Sequence, residues 1–289
     1  QGRRRPIPHR EDNPYVTAFW KWWPTLYKNL KHFRMTGGEP MMDHNTYKVF
    51  QYIIDHPKDD LHLNITSNMC PPDDKLKAKY FDMLHKICAE EKVEHVMQFV
   101  SVDSWGKQAE YIRHGLDFNY FWDNMNKILE QCNRTNVTIM STYNALSVPT
   151  YNKLIDGVYD LKQTYGSADR YWKSASFLDT SYLRYPTHQT VQVLPKGWEK
   201  AVYQQAKQAD FLGVPVFDYS YIGYSDIEIQ KIKRTYDWMI APVDEERLKT
   251  QRRNFGHYFR AHDKRRGTDF CKTFPEFADF YHDCLNIKL

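Results

Sequence analysis

The sequence predicts an α/β fold built on a parallel sheet, and three observations predict it. Short apolar or alternating segments end at Met35, Ile65, Val102, Met140 and Leu178, 30 to 38 residues apart, close to one strand plus one helix. Between them run helical patterns with apolar residues three and four apart. Each strand-like segment also ends in polar or glycine residues. Repeated βα units of this kind make a parallel sheet, either doubly wound or curled toward a barrel.

Taken in order, residues 3–12 are basic, include proline and predict no regular element. Asn13-Pro14 reads as an N-cap and first helical residue. The aromatic helix that follows, to about Leu30, should be kinked or shortened by Pro24. Its Trp20, Trp22 and Trp23 read as packing residues. Strands are expected at 32–35, near 64–65, and at 96–102, 137–140 and 174–178. The intervening helices are expected at 44–55, 75–91, 118–131 and 150–163. From Tyr182 the alternation changes. One more strand, 190–194, precedes helices from about Trp198 and at 225–239, 245–261 and 275–284. The expected division is a core over 1–185 and a mainly helical extension over 186–289.

Composition narrows the function classes. Aromatic residues make up 16% of the 289, with only 12 Gly and 14 Pro, which excludes a disordered or collagen-like chain. No apolar run approaches the roughly 20 residues of a membrane-spanning helix. A net charge of +4 does not point to nucleic acid. The chain begins with Gln1 and shows no signal-peptide pattern, so a fragment or processed chain is expected. Five cysteines, an odd number without a C-x-x-C pair, suggest neither a zinc knuckle nor a disulfide framework, and a reducing cytoplasm fits them best. Sequons at Asn64, Asn133 and Asn136 read as chance matches.

The chemistry is expected at the strand ends. Thr36-Gly37-Gly38-Glu39-Pro40, Thr66-Ser67-Asn68, Asp103-Ser104, Ser141-Thr142 and Asp179-Thr180 should ring one site, since parallel α/β folds bind ligands there. Polar loops that merely cap helices would look the same at any single position. The glycine pair is the sharpest feature. It allows positive φ and close approach of a ligand to the backbone, although an ordinary tight turn uses the same residues.

Met35-Thr36-Gly37-Gly38-Glu39-Pro40 resembles the GGE motif of radical S-adenosylmethionine (SAM) enzymes. Asn64-Ile65-Thr66-Ser67-Asn68 is similar to that family's next strand end, and Val100 to Ser104 with Glu110 to Gly115 to the strand and loop after it. Val191-Gln192-Val193-Leu194-Pro195 resembles the entry to a twitch or SPASM-type extension, and the likeness runs from about residue 13 to the end. The resemblance implies a partial (β/α)6 TIM-like barrel lacking its first strand. It implies that Gly37, Gly38 and Glu39 hold the amino end of SAM and that Arg113 pairs with its carboxylate. It places Ser67, Asn68, Asp103 and Ser141 around the pocket. It further implies a [4Fe–4S] cluster, an electron donor that reduces it, and a 5′-deoxyadenosyl radical that takes hydrogen from a peptide or small-molecule substrate. The family's C-x-x-x-C-x-x-C loop precedes GGE, and no cysteine stands before Cys70. The cluster ligands are therefore expected upstream of this chain, which alone would be inactive.

Two alternatives stand beside this reading. One is a non-catalytic binding or scaffold protein on the same fold; the other is an unrelated barrel enzyme using Glu39 and Asp103 as acid and base. Cys271 and Cys284 read as structural thiols. His257, His262 and Asp263 read as surface or capping residues, and Lys264 to Gly267 as a solvated loop.

Overall fold

The computed structural model describes residues 13–213 and 222–288, so the basic segment with Arg3, Arg4 and Arg5 lies outside the described residues. Helix α1 (Pro14–Asn29) is capped by Asn13, whose side chain accepts from Tyr15 N. Pro24 lies inside it and, of the two expected effects, a kink or an early end, does not produce the second. Trp23 is buried against Phe33 at 4.8 Å between ring centroids, while Trp22 is exposed.

Five strands alternate with helices: β1 (His32–Met35), α2 (His44–Asp55), β2 (Lys58–Thr66), α3 (Asp74–Ala89), β3 (Val93–Ser101), α4 (Gly106–Ile112), α5 (Phe118–Gln131), β4 (Thr135–Tyr143), α6 (Tyr151–Tyr165) and β5 (Ser176–Tyr182). All are parallel and lie side by side in chain order, β1-β2-β3-β4-β5. An order that never reverses removes the doubly wound option, which requires a switch point.

The sheet has two unlike faces. Leu61, Leu63, Ile65, Val96, Val100, Val137, Ile139 and Leu178 are fully buried in the core. Gln98, polar and on the same face, is answered by Tyr80 of α3, whose hydroxyl donates to it at 2.7 Å. Of the alternate residues, Arg34, Asn64, Thr66, Phe99, Met140 and Asp179 are only partly buried or exposed, while His95, Met97, Asn136 and Thr138 in the middle of the sheet are buried. That face is less covered.

Beyond β5 come α7 (Glu199–Phe211), α8 (Asp226–Ile240), α9 (Glu245–Arg266), α10 (Phe270–Thr273) and α11 (Ala278–Asn286). Helix α8 runs along the outer edge of β5. Its Glu228 accepts the N–H of Leu178 at 2.8 Å and pairs with Lys162 of α6 at 2.9 Å, both side chains being 1% exposed. An edge strand otherwise offers such groups to another strand.

That edge explains why the expected strand at 190–194 does not form. Val191–Val193 is a 3-10 turn closed by Val193 N to Thr190 O at 3.2 Å. Both valines are buried, and Gln192 donates to Trp238 O at the end of α8, so burial in a tight turn produced the alternation. The last strand also lies later than expected, and α9 continues through Lys264, Arg265 and Arg266 to a Gly267 C-cap at φ +68° rather than ending before a solvated loop.

Cys88 and Cys132 are joined as a disulfide, with Cα atoms 5.8 Å apart, a pairing the odd count does not suggest. The parallel β3–β4 register sets the two preceding helices side by side and brings these residues together. Cys70, Cys271 and Cys284 are free. Among the described residues no helix is long and apolar enough to cross a membrane.

Candidate functional site

The first two strand ends are tied together by Glu39. Gly37 at φ +90° and Gly38 at φ +53° carry the chain out of β1 in a conformation suited to glycine. A Cβ at either position would meet nothing within 4 Å, so the backbone there stands open. Glu39 then caps the 3-10 turn Pro40–Met42, accepting from Met41 N at 3.1 Å. The same carboxylate reaches across to the end of β2, accepting from Ser67 Oγ at 2.6 Å and from Asn68 N at 2.7 Å. A cavity of about 210 Å³ opens beside the loop, lined in part by Thr36, Gly37, Pro40 and Phe33.

A second carboxylate organises the next two strand ends. Asp103 follows β3, is 5% exposed, and accepts Thr142 N of β4 at 2.7 Å. Arg113, at the C-cap of α4, donates Nη2 to Asp103 Oδ1 at 3.1 Å and places Nε 2.9 Å from Oδ2. Its Nη1 has no partner among the described residues. Glu39 and Asp103 thus stand at the same end of the sheet, as the strand-end reading requires. Both carboxylates are taken up by local donors.

Two expected members sit elsewhere. Ser141 lies inside β4 and is 2% exposed, in register with Thr180 of β5. Tyr151 of α6 donates to or accepts from that Thr180 at 2.7 Å, so this register position belongs to the helix-covered face. Asp179 and Thr180 are mid-strand rather than terminal, because β5 runs on to Tyr182; Asp179 pairs with Lys231 of α8. The ring of five polar groups is therefore three at the strand ends, a fourth within β4 and a fifth within β5.

Sequence reasoning missed Arg34. Its guanidinium lies over the Phe99 ring at 4.3 Å and donates to Thr66 Oγ1 at 3.3 Å, spanning three strands on the less covered face. The signal was present in the strand alternation, since Arg34 stands between Phe33 and Met35.

Local electrostatics decide which groups are reactive. Burial, with the Glu39 carboxylate adding to it, pushes Tyr47 up to about 12, so it stays a neutral donor. Burial also raises the Cys70 thiol, against a weaker opposing bond to the Asp117 carbonyl, so Cys70 is not a ready thiolate. Among the described residues no group of three His, Cys, Asp or Glu could hold a metal ion. Asp263 is a structural acceptor, taking Tyr111 OH at 2.8 Å, Thr268 Oγ1 at 2.7 Å and Phe270 N at 2.8 Å.

No protein-family model, curated protein or solved structure matches this chain.

Proposed function

We propose that this chain is the SAM-holding part of a radical SAM enzyme, its sheet being a partial (β/α)6 barrel with the twitch-like extension covering the β5 edge. The observation that carries the reading is the open Gly37–Gly38 backbone beside the Glu39 clamp. A ligand amino group approaches main-chain carbonyls only where side chains leave room, and two glycines at positive φ leave it. In this reading Glu39 does not touch SAM. It fixes the glycine loop to Ser67 and Asn68, so that both strand ends face one ligand.

Arg113 meets the methionyl carboxylate through its unpartnered Nη1 while Asp103 holds the rest of the fork. This replaces the bidentate contact that a free arginine would make. The less covered face with Arg34, Thr66 and Phe99 is the proposed substrate side. When bound against a reduced cluster, SAM supplies hydrogen-abstraction chemistry. The five cysteines do not fit such a cluster: two are joined to each other and the other three are scattered. The proposal therefore assigns the cluster ligands and the electron donor's docking site to residues outside this chain. A reducing, cytoplasmic setting belongs to the same reading, and the Cys88–Cys132 pair tests it, since protein alkylated at lysis and then denatured in excess alkylating reagent without reductant should then carry five alkylated cysteines rather than three.

The experiment is anaerobic incubation with iron and sulfide, followed by equilibrium dialysis of labelled SAM. No stoichiometric cluster should form. Weak SAM binding should appear and be displaced by S-adenosylhomocysteine. A stoichiometric cluster, or no SAM binding at millimolar protein, would overturn the assignment.

A further inference from the structure

We propose that one face of α9 is a docking strip for an acidic peptide segment, an assignment independent of the SAM reading. Helix α9 carries eight Lys and Arg against three Asp and Glu, a net +5 where the whole chain nets +4. The rest of the protein is thus slightly acidic, and its positive charge is concentrated in this helix. The concentration is also ordered. Lys249, Arg253, Arg260 and Lys264 fall within about 60° of arc at 100° per residue and extend about 22 Å along the axis.

These cations are unlike several others of the chain. Lys31, Lys58, Lys107, Lys162 and Lys231 all pair with carboxylates. Among the described residues no carboxylate lies within ion-pair distance of the four on the strip. Arg260 meets only His257 Nδ1, at 2.9 Å. The acids of α9 do not answer them: Glu245 and Glu246, one turn before Lys249 with Glu246 on the same arc, form no ion pair with it, and Asp263 is committed to Tyr111, Thr268 and Phe270. At the far end of the strip Lys264 follows Asp263, whose contact with Tyr111 ties α9 to α4.

The form of the strip selects the partner. Charges in single file, about 6 Å apart within each pair, match side chains on one face of an extended peptide, which recur every ~6.6 Å. Six or seven residues would span it. Single-stranded nucleic acid is disfavoured because the strip offers no row of rings for successive bases: His257 is engaged by Arg260, and Tyr258 lies on another side of the helix, against His188.

The test is fluorescence anisotropy with the full chain and a labelled Glu-Gly-Glu-Gly-Glu-Gly-Glu peptide, at low salt and at about 150 mM. A thymidine heptanucleotide is the comparison ligand. The peptide should bind and weaken with salt. Arg253→Gln/Arg260→Gln should weaken it roughly tenfold, while the charge-matched Arg247→Gln/Arg265→Gln, off the strip, should change it less than about twofold. All six of these cations are exposed or half-buried, so folding should be unaffected, as thermal melts would verify. Equal losses in the two variants, no peptide binding, or tighter binding of the heptanucleotide would overturn the proposal.

Discussion

Glu228 and Glu39 do the same local chemistry at two places on the sheet. Each takes up a main-chain N–H, Glu228 that of Leu178 at 2.8 Å and Glu39 that of Asn68 at 2.7 Å. Their surroundings differ. Glu228 is 1% exposed and neutralised by Lys162, with Ser225 N and Oγ completing its shell at 2.9 and 2.8 Å. Among the described residues Glu39 has no cation, only neutral donors, and the glycines next to it leave backbone open. One carboxylate closes an edge against further pairing. The other holds two loops in place and leaves room above them. A buried ion pair marks where the fold ends; a neutral clamp beside bare backbone marks the proposed point of ligand entry.

The largest expected effect lies at the closed end. Lys162→Met leaves Glu228 as a buried charge without its partner, and denaturant unfolding should show a loss of about 3–5 kcal/mol. A change below about 1 kcal/mol would mean that the β5 edge is held by apolar packing alone.

A pH effect comes next. His95 sits on the less covered face, 2% exposed, stacked on Tyr171 at 4.5 Å and bonded to Asn136 at 2.8 Å. Burial first, opposed by the Asn136 bond and reinforced by His62, lowers its pKa to about 4 from 6.5. The folded imidazole is then neutral where the unfolded one begins to protonate. Its contribution to stability is fully present above about 6.5 and is lost as pH falls toward 4, up to roughly 3 kcal/mol. Unfolding followed across that range should slope accordingly, and His95→Gln should flatten the slope.

Smaller effects belong to the strand-end site. Arg113→Ala strips a nearly buried Asp103 of its cation and should cost about 1–3 kcal/mol, with Arg113→Lys intermediate because the fork geometry is lost. Gly38→Val forces a β-branched residue to φ +53° and should cost about 1–2 kcal/mol through backbone strain, since no neighbour stands in its way. Thermal melts of the three variants would rank them.

Much of this architecture was legible. The 30- to 38-residue rhythm placed all five parallel strands, because an amphipathic helix between two apolar strands leaves a strong periodic signal. The glycine pair and Glu39 stood out because positive φ has a sequence signature. What stayed hidden depends on tertiary placement. Val191 and Val193 alternate like a strand, yet α8 already occupies the β5 edge. Ser141 is polar near a strand end, but register sends it to the helix-covered face. Cys88 and Cys132, 44 residues apart, meet only because their strands are parallel neighbours. Arg113 reads as free until Asp103 is seen to hold it.

The central claim is that the Gly37–Gly38 backbone receives SAM. Saturation-transfer NMR of SAM with the full chain tests it most directly, comparing wild type with Gly38→Val and with Lys162→Met at a temperature where all three remain folded. SAM signals should respond with wild type and Lys162→Met and fade with Gly38→Val. An undiminished response with Gly38→Val, or none with wild type, would contradict the claim.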